Sequence, residues 1–489
     1  MKRSLSGSRT IGRSCQTCRS ILSARLLRGI FLAAGVALAA MAASAQEDQR
    51  KEQEAVYNGP EVITDVRSDE SPAALRDTEP LSPQSGWQGS RFRNRQIRQT
   101  TSTGLLPEIV PQATAAPLVA TTTVFNFDGL GQGFVGPNGR FVLDSSPPSP
   151  SSAVGATQFV EWVNESFAVF NKSTGHVVYG PALGNTLWKG FGGPCETNND
   201  GDPIVQYDVA AGRWVLSQFA VSSGPPYFQC IVVSQTSDAT GKYFRYAFKF
   251  TSFNGDAKLA VWPDAYYMSF DMLTADGGGF LGPKVCALHR AAMLTGAAAT
   301  AQCFQLSTAF ESLLPSDLDG ATPPPAGSRN YFFNLGLNTL RLWKFHVDWT
   351  TPAKSTLTGP TSIATKAFMQ ACGGGTCIPQ EGTTQILDSI GDRLMNRVAY
   401  RNFGGHESIV LTHSVHVATG NTGSVGMSCG VRVALRSSSN KAPSRRIQPI
   451  DGSAASGWIK WATLHWGTAF RAKLSIQESV IRAGCLQTL

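Results

Sequence analysis

Short apolar runs separated by turn residues dominate the sequence from about residue 123 to residue 428. The runs are rich in Val, Phe, Tyr, Trp and Thr, and the segments between them are rich in Gly, Pro, Asn and Asp. This alternation is typical of β-strands joined by tight turns. Helical periodicity is confined to two short stretches, 291–301 and 362–371. The pattern therefore predicts an all-β domain over 123–427.

Several segments of this domain resemble one another. Each opens with Gly, usually followed by Asp, and continues with an extended run, a turn and a second run rich in aromatic residues, which is the pattern of a β-hairpin. The segments are 155–171, 201–219, 255–270 and 391–414, with a further hairpin at 330–349. The first three begin 46 and 54 residues apart. This spacing predicts a β-propeller of about five to seven blades, with a set of β-sandwich domains as the alternative.

A series of strings in this region resembles a family of secreted bacterial β-propeller proteins. The strings are AVGATQFVEWVNESFAVFNKSTGHVVYGP, NNDGDPIVQYDVAAGRWVLSQF, VWPDAYYMSF, LPSDLDGATPPPAG, LWKFHVDW and RNFGGHESIVLTHSV. They occur in order and cover about 123–416. The resemblance implies a secreted propeller, but it implies no reaction and no catalytic residue.

The sequence departs from the family pattern at two places. Residues 145–152 read SSPPSPSS where the family carries an acidic turn. After Ser424 the similarity ends, and the chain becomes basic and rich in Ser and Arg. We interpret 428–489 as an atypical basic tail encoded in a shifted reading frame, which would remove the closing blade and expose sheet edges. A genuine basic tail is the alternative.

The N-terminal region has the pattern of a secretion signal. A basic stretch that ends at Arg28 is followed by the apolar run 30–42 and by a small-residue triplet. Because a spanning helix needs about 20 apolar residues, cleavage after the signal peptide 1–45 is favoured over an uncleaved anchor. Residues 46–122 are polar and without periodicity, so a disordered linker or pro-segment is expected there. The mature protein is expected to be extracellular, periplasmic or cell-surface, with no transmembrane segment.

The distribution of charge along the chain argues against nucleic acid as a partner. The chain has 489 residues, is 42% hydrophobic and carries a formal net charge of +8. Residues 1–45 contribute seven basic and no acidic residues, and 429–489 contribute nine basic and two acidic residues. The remaining 26 basic and 32 acidic residues in 46–428 give the body a net charge of −6. A basic groove for nucleic acid is therefore not expected in the body.

Six of the eight cysteines after residue 45 fall into neighbouring sets. Local disulfides are expected in an oxidising compartment, with unpaired buried thiols as the alternative. The predicted pairs are Cys195 with Cys230, Cys286 with Cys303, and Cys372 with Cys377.

Asp202, Asp256 and Asp392 follow Gly at like positions of the repeated segments. Carboxylates that meet near a propeller axis can serve as acid and as nucleophile or base in glycoside hydrolysis, and Glu407 is a candidate partner. In the alternative interpretation, each Asp fixes a turn by accepting backbone N–H groups.

Two further sets of residues are candidates for ligand contacts. The carboxylates Asp200, Asp202, Asp317 and Asp319 flank glycine turns and offer oxygen ligands for a structural calcium ion, with solvated turns as the alternative. No other cofactor is expected. The aromatic residues Trp162, Trp214, Trp262 and Tyr266 would stack on sugar rings or anchor a protein if exposed, and would form core if buried.

We expect a secreted propeller that binds an extracellular glycan or protein without catalysis. The alternative is a glycoside hydrolase or lyase that uses carboxylates at the channel, so the sequence leaves enzymatic activity open. The chain lacks the G-x-S-x-G, G-x-x-x-x-G-K and G-x-G-x-x-G motifs, which argues against serine-hydrolase, P-loop and dinucleotide-binding classes. The oligomeric state is not indicated.

The shifted-frame interpretation makes a prediction about the encoding DNA. One of the other reading frames near codon 428 is expected to encode a strand rich in aromatic and β-branched residues, because the missing blade would still be present there. Translation of the DNA in all frames checks this. The interpretation fails if no frame contains such a strand.

Overall fold

A computed structural model describes residues 55–81, 123–131, 133–142, 149–365, 367–379, 384 and 386–416. It also describes the backbone of three later strands, which lie in or overlap the predicted tail. The predicted signal peptide and residues 82–122 lie outside the described residues. Among the helices that the structure describes, none is long and apolar enough to span a bilayer.

Strands account for almost all of the regular structure, as the sequence predicts. They are β1 (Ala55–Asn58), β2 (Glu61–Ile63), β3 (Val66–Glu70), β4 (Thr123–Asp128), β5 (Val135–Gly136), β6 (Gly139–Arg140), β7 (Ser151–Val154), β8 (Gln158–Val163), β9 (Ser166–Asn171), β10 (Val177–Leu183), β11 (Ile204–Asp208), β12 (Arg213–Ala220), β13 (Tyr227–Ser234), β14 (Tyr243–Phe250), β15 (Phe253–Val261), β16 (Tyr266–Leu273), β17 (Phe280–Leu288), β18 (Ala301–Gln305), β19 (Leu314–Asp319), β20 (Asn330–Gly336), β21 (Thr339–His346), β22 (Thr356–Ala364), β23 (Thr376–Pro379), β24 (Ile386–Asp388), β25 (Leu394–Asn402), β26 (Glu407–His416), β27 (Val425–Leu435), β28 (Ile459–Gly467) and β29 (Arg471–Ser479).

Helices within the described residues are short. They are α1 (Pro194–Thr197), α2 (Arg290–Met293) and the 3₁₀ turns Leu75–Asp77, Gly184–Trp188, Pro352–Lys354 and Ala371–Gly374. The predicted helix at 291–301 is thus reduced to one turn. The helix predicted at 362–371 is wrong, because the chain from 362 to 364 continues β22 as an extended strand.

The strands form successive antiparallel sheets that follow the chain. We number them as blade 1 (β7–β10), blade 2 (β11–β14), blade 3 (β15–β18), blade 4 (β19–β22) and blade 5 (β25–β27). Blades 4 and 5 are joined, because β19 pairs with β20 through Leu314 and Pro315 and then runs parallel to β25 from Ser316 to Asp319. The strands β28, β29 and β4 form a further three-stranded sheet.

The first strand of each blade lies beside the first strand of the next blade. Contacts link β7 to β11, β11 to β15 and β15 to β19, and β19 is hydrogen-bonded to β25. Sheets that follow one another around a common set of innermost strands define a β-propeller. The predicted fold class is therefore confirmed.

Apolar side chains fill the spaces between successive blades. Val160 and Trp162 of blade 1 join Trp214 and Leu216 of blade 2 in one buried cluster. A second cluster lies between blades 2 and 3, and a third contains residues of blades 3, 4 and 5. Because both faces of an inner sheet are covered, its strands are nearly continuously hydrophobic, as in β12 with its run WVLSQFA.

The N-terminal segment 55–81, which we call the strap, forms short strands, so the prediction of a disordered linker over 46–122 is wrong for these residues; 46–54 and 82–122 lie outside the described residues. Its three strands pair antiparallel with the outermost strands of three blades in turn: β1 with β22, β2 with β18 and β3 with β14. These strands are only three to five residues long. The strap is held through its backbone and needs no sustained apolar pattern, which is why the sequence did not reveal it.

Two of the predicted disulfides are present. Cys195 of α1 is bonded to Cys230 of β13 with a Cα–Cα distance of 5.8 Å. Cys286 and Cys303 bridge the paired strands β17 and β18 with a Cα–Cα distance of 4.1 Å. Cys372 is also disulfide-bonded, and the side chain of its predicted partner Cys377 lies outside the described residues.

The burial of Trp214 leads to a stability prediction. Its side chain is fully buried, its ring lies 4.8 Å from that of Tyr207, and its Nε1 donates to the carbonyl of Ser237 at 3.0 Å. We expect Trp214→Ala to lower the free energy of unfolding by about 3–5 kcal/mol. Denaturant titration of the purified protein measures this.

The matched control is Trp349→Ala. Trp349 is only partly buried, where it stacks on His289 at a centroid distance of 4.3 Å. The expected loss there is about 1 kcal/mol. Equal losses for the two variants would contradict the assignment of Trp214 to the interior between blades.

Candidate functional site at the start of the inner strands

Two of the recurrent Gly-Asp positions meet where the innermost strands begin. Asp202 lies two residues before β11, and Asp256 lies in β15 beside an irregularity of the ladder. The carboxylate of Asp202 lies close to the backbone N–H of Ala257 and to the charges of Lys258 and Asp256. The beginnings of the innermost strands of blades 2 and 3 are therefore in contact.

The backbone at these positions is left-handed. Asp202 and Asp256 both have φ of +48°, a region that Asp tolerates better than most residues. Ser149, Ser312 and Ile390 also have positive φ, and each lies shortly before the innermost strand of its blade. The repeated motif is thus a shared turn that leads the chain into an inner strand.

Charged residues of blades 2, 3 and 5 surround this point, and we call them the axial cluster. Its members are Asp202, Asp256, Lys258, Asp271, Asp392 and Arg393. The cluster contains four acidic and two basic groups, so it is net acidic when all are ionised. Asp256 is the most open member, with 37% of its side chain exposed, so the cluster is reached from solvent.

Lys258 is the central cation of the cluster. Its Nζ lies 2.6 Å from Asp256 Oδ1 and 3.3 Å from the carbonyl oxygens of Asp256 and Ala257. Burial opposes the charged ammonium, but the nearby carboxylates of Asp256 and Asp202 outweigh it and raise the pKa of Lys258. Lys258 therefore stays protonated, forms an ion pair with Asp256 and is close enough to Asp202 to interact electrostatically with it.

Asp202 is partly buried and has no ion-pair partner as close as that of Asp256. Burial raises the pKa of Asp202 to about 6, and the charge of Asp256 adds to this, while Lys258 and the Ala257 N–H act in the opposite direction. Neighbouring carboxyl groups whose environments separate their protonation states are the usual arrangement for a proton donor beside an ionised partner. Asp202 can therefore carry a proton at mildly acidic pH, up to about pH 6, next to the ion-paired Asp256.

Asp271 and Asp392 are held by their neighbours. Asp271 accepts the Ser312 N–H at 2.9 Å and the Ser312 hydroxyl at 3.2 Å, and burial followed by the charge of Asp256 raises its pKa. Asp392 binds the Arg393 guanidinium through two contacts of 2.9 and 3.1 Å. Burial works against the charge of Arg393, but the bonds to Asp392 and the nearby Asp256 raise its pKa. These groups frame the cluster rather than offering free acceptors.

Sequence reasoning missed Lys258, Asp271 and Arg393. Lys258 lies two residues after Asp256 and Arg393 directly follows Asp392, so the neighbourhood of the Gly-Asp motif was a usable signal for these two. Asp271 lies opposite Gly255 across the pairing of β15 and β16. That neighbourhood depends on strand register and carries no local sequence signal.

Glu407 does not join the other predicted catalytic residues. Asp392 precedes β25, whereas Glu407 pairs with Asn402 at the far end of that nine-residue strand. At about 3.3 Å per residue, the two ends of β25 are more than 20 Å apart. Glu407 instead accepts a hydrogen bond from the Tyr400 hydroxyl at 2.6 Å. It is therefore not placed to act with Asp202.

The aromatic residues proposed as ligand contacts are core residues. Trp162, Trp214, Trp262 and Tyr266 are each no more than 1% exposed. Tyr266 donates its hydroxyl to Asp208, whose carboxylate also binds Arg290. Because sheets cover these rings from both sides, none presents a face for stacking on a ligand.

The oxygen ligands proposed for calcium have protein partners in the structure. Asp200 accepts the N–H groups of Val221 and Ser222 at 2.6 and 2.9 Å. Asp317 and Asp319 both bind the Arg397 guanidinium at 2.6 Å. Within the described part of the chain, no three His, Cys, Asp or Glu side chains are grouped to hold a metal ion. A structural calcium ion stays a prediction.

Comparisons with known proteins give only weak structural likenesses. No protein-family model matches the chain, and no curated protein is similar to it in sequence. A GH43_1 enzyme from Xanthomonas citri complexed with xylose is 12% identical, with 63% of this chain and 93% of that chain covered and a TM-score of 0.27. An α-L-arabinofuranosidase from Lactobacillus brevis is 9% identical, with 58% and 89% covered and a TM-score of 0.29. An α-L-arabinanase mutant from Cellvibrio cellulosa is 11% identical, with 59% and 90% covered and a TM-score of 0.25.

The raised pKa of Asp202 predicts a pH-dependent stability. Between about pH 4 and pH 6 the unfolded chain loses this proton before the folded chain does, so the free energy of unfolding falls as pH rises. Asn cannot ionise and tolerates positive φ. Asp202→Asn should therefore match the wild type near pH 4 and exceed it above pH 6, by up to about 3 kcal/mol.

Urea titrations across this pH range measure the difference. Asp392→Asn is the control, because it removes the partner of Arg393 and should destabilise the protein at neutral pH. A constant offset between wild type and Asp202→Asn at every pH would show that Asp202 titrates normally.

Proposed function

We propose that the protein binds a glycan at the axial cluster. The observation that carries this proposal is the grouping of Asp202 and Asp256, from neighbouring blades, around Lys258 at a solvent-reached end of the inner strands. Carboxylate oxygens accept hydrogen bonds from sugar hydroxyls, and ammonium and guanidinium groups donate to them. Hydrogen bonds in which one group is charged are stronger than those between two neutral groups.

The charge of the cluster narrows the class of ligand. Four acidic groups face two basic ones, so the cluster carries no excess of positive charge to attract phosphorylated or carboxylated ligands, even when Asp202 and Asp271 are protonated. A neutral, hydroxyl-rich ligand meets both acceptors and donors and needs no such excess. The net charge of −6 over 46–428 points the same way.

Glycoside hydrolysis is the second candidate, and the raised pKa of Asp202 favours it. A carboxyl group that retains its proton up to about pH 6 can donate to a glycosidic oxygen, while the carboxylate of Asp256, ion-paired with Lys258, stabilises positive charge or activates water. Asp256 is also the more exposed of the two. In this scheme Asp202 is the acid and Asp256 the second carboxylate.

We also propose that the protein works outside the cytoplasm. Disulfides such as Cys195–Cys230 and Cys286–Cys303 form most readily in an oxidising compartment. A glycan ligand at the cell exterior suits this location.

Binding and turnover assays on one set of variants test the function. Calorimetry against neutral polysaccharides should detect binding by the wild type and its loss in Asp256→Asn, which removes the partner of Lys258. Chromogenic glycosides should be cleaved by wild type and at least about 100-fold more slowly by Asp202→Asn if hydrolysis occurs. Asp348→Asn is the matched control, since Asp348 only caps a turn through Thr350 and Thr351.

The outcomes separate the two candidates. Binding without turnover supports a glycan-binding propeller and removes the hydrolase. Loss of turnover with retained binding in Asp202→Asn supports the hydrolase. No binding to any polysaccharide, or equal binding by wild type and Asp256→Asn, overturns the assignment of the axial cluster.

A further inference from the structure

The strap adds one short strand to the outer edge of each of blades 2, 3 and 4. Tyr57 pairs with Leu357, Val62 with Gln302, and Ser68 with Tyr246, each across a different blade. An outermost strand otherwise presents unpaired N–H and C=O groups that can accept another strand. Addition of a strand to such an edge is a recurrent way in which proteins bind extended peptides.

The strap and the blade edges have opposite charges. The strap holds six acidic and two basic residues, and four of its acidic residues form ion pairs with basic residues of the blades. These pairs are Glu61–Lys284, Asp65–Lys249, Asp69–Arg245 and Glu70–Lys242.

Asp69 makes the best-defined of these contacts. Its two oxygens bind Nε and Nη2 of Arg245 at 2.7 Å each, and the Arg245 side chain is only 2% exposed. The other three pairs are more exposed on the strap side and contribute less. Arg245 is therefore a specific hydrogen-bond donor to an acidic side chain at one register of the added strand.

Apolar contacts fix the strap at two further points. Ile63 is buried in the core between blades 2 and 3, and Leu75 is buried in the core between blades 1 and 2. Beside Leu75 a cavity of about 400 Å³ remains between the strap and the blades, lined in part by Leu187 and Tyr243. The strap is thus anchored by buried side chains, as a bound peptide is, and the groove between the strap and the blades is not completely filled.

A long stretch of chain lies between the strap and the next described strand. The strap ends at Leu81 and the next described strand begins at Thr123, with 41 residues between them. At up to about 3.3–3.6 Å per residue this connection is long enough to reach a neighbouring molecule. Because the strap is covalently joined to the blades that it pairs with, its effective concentration there is high in its own molecule.

We propose that the outer edges of blades 2 to 4 form a strand-accepting surface for an extended acidic segment, and that the strap of a second copy of the chain binds there in exchange. The pairing register, the Asp69–Arg245 contact and the Ile63 anchor select the identical segment over an unrelated peptide. Exchange links two copies without any new contact surface. It becomes important when the concentration of protein approaches the effective concentration of the tethered strap.

Exchange between full chains is the first test. Tagged and untagged protein are mixed at high concentration, and the untagged chain should be captured with the tagged one. Asp69→Asn in both chains removes the charged partner of Arg245 from every strap. Because the strap is then held less tightly, the exchange rate should rise at least tenfold. Asp77→Asn is the matched control, because it makes the same substitution at an exposed strap position. Absence of mixed species at every concentration overturns exchange between copies.

A second measurement identifies the surface. A protease site placed within 82–122 allows the strap to be cut from the folded protein while it stays bound, and a fluorescent peptide of residues 55–81 is then added. The peptide should replace the strap, more readily at high salt, and a peptide with Asp69→Asn should bind at least tenfold more weakly. Equal binding of the two peptides, or no replacement up to the salt and denaturant levels that unfold the protein, overturns the proposal. Binding of an unrelated acidic peptide as tightly as the strap peptide would overturn a second copy as the partner.

Discussion

The innermost strands of blades 1 to 4 lie side by side but belong to different sheets, so the backbone groups on their facing edges have no ladder partner within the described residues. Buried N–H and C=O groups must nevertheless be satisfied. Side chains of the neighbouring blade supply the bonds: Ser151 Oγ accepts Val205 N–H, and Asp317 Oδ1 accepts Val261 N–H. The Gln206 amide in turn donates to the Leu259 carbonyl. Polar residues at the axis are thus a structural requirement of the propeller before they are a functional feature.

The axial cluster lies beside these inner strands. Asp202 lies near the Ala257 N–H of the next blade and near Asp256, and burial raises the pKa of Asp202 to about 6. Lys258 then neutralises part of the accumulated charge. A carboxylate that is buried between sheets is partly desolvated, and this is a condition under which a carboxyl group gains chemical use.

The sequence predicted what repeats along the chain and failed where contacts cross between blades. The Gly-Asp motifs at 201–202, 255–256 and 391–392 correctly located three inner strands, and at the first two of them the Asp itself takes the left-handed turn. Local pairing of Cys195 with Cys230 was also within reach of the sequence. The buried state of Trp162 was not decided, because an aromatic residue in a strand suits a core and a binding face equally.

Distances along a strand and across blades explain the remaining differences. Glu407 is close to Asp392 in sequence but the length of β25 separates them, whereas Asp271 joins the cluster through the register of β16. The strands of the strap escaped notice because backbone pairing imposes little on side chains. The opposite charges of the strap and of the blade edges can be recognised only after the strand pairing is known.

The double pairing of β19 has a consequence for how the molecule opens. Its first residues complete blade 4 and its last residues extend blade 5, so one strand is shared by two sheets. Local unfolding of blade 5 must therefore break backbone bonds that also order blade 4. The two blades then form one cooperative unit whose amide hydrogens exchange together. Within the described residues no such ladder joins the inner strands of blades 1, 2 and 3, and the strap is the backbone-paired segment that crosses the outer edges of blades 2 and 3.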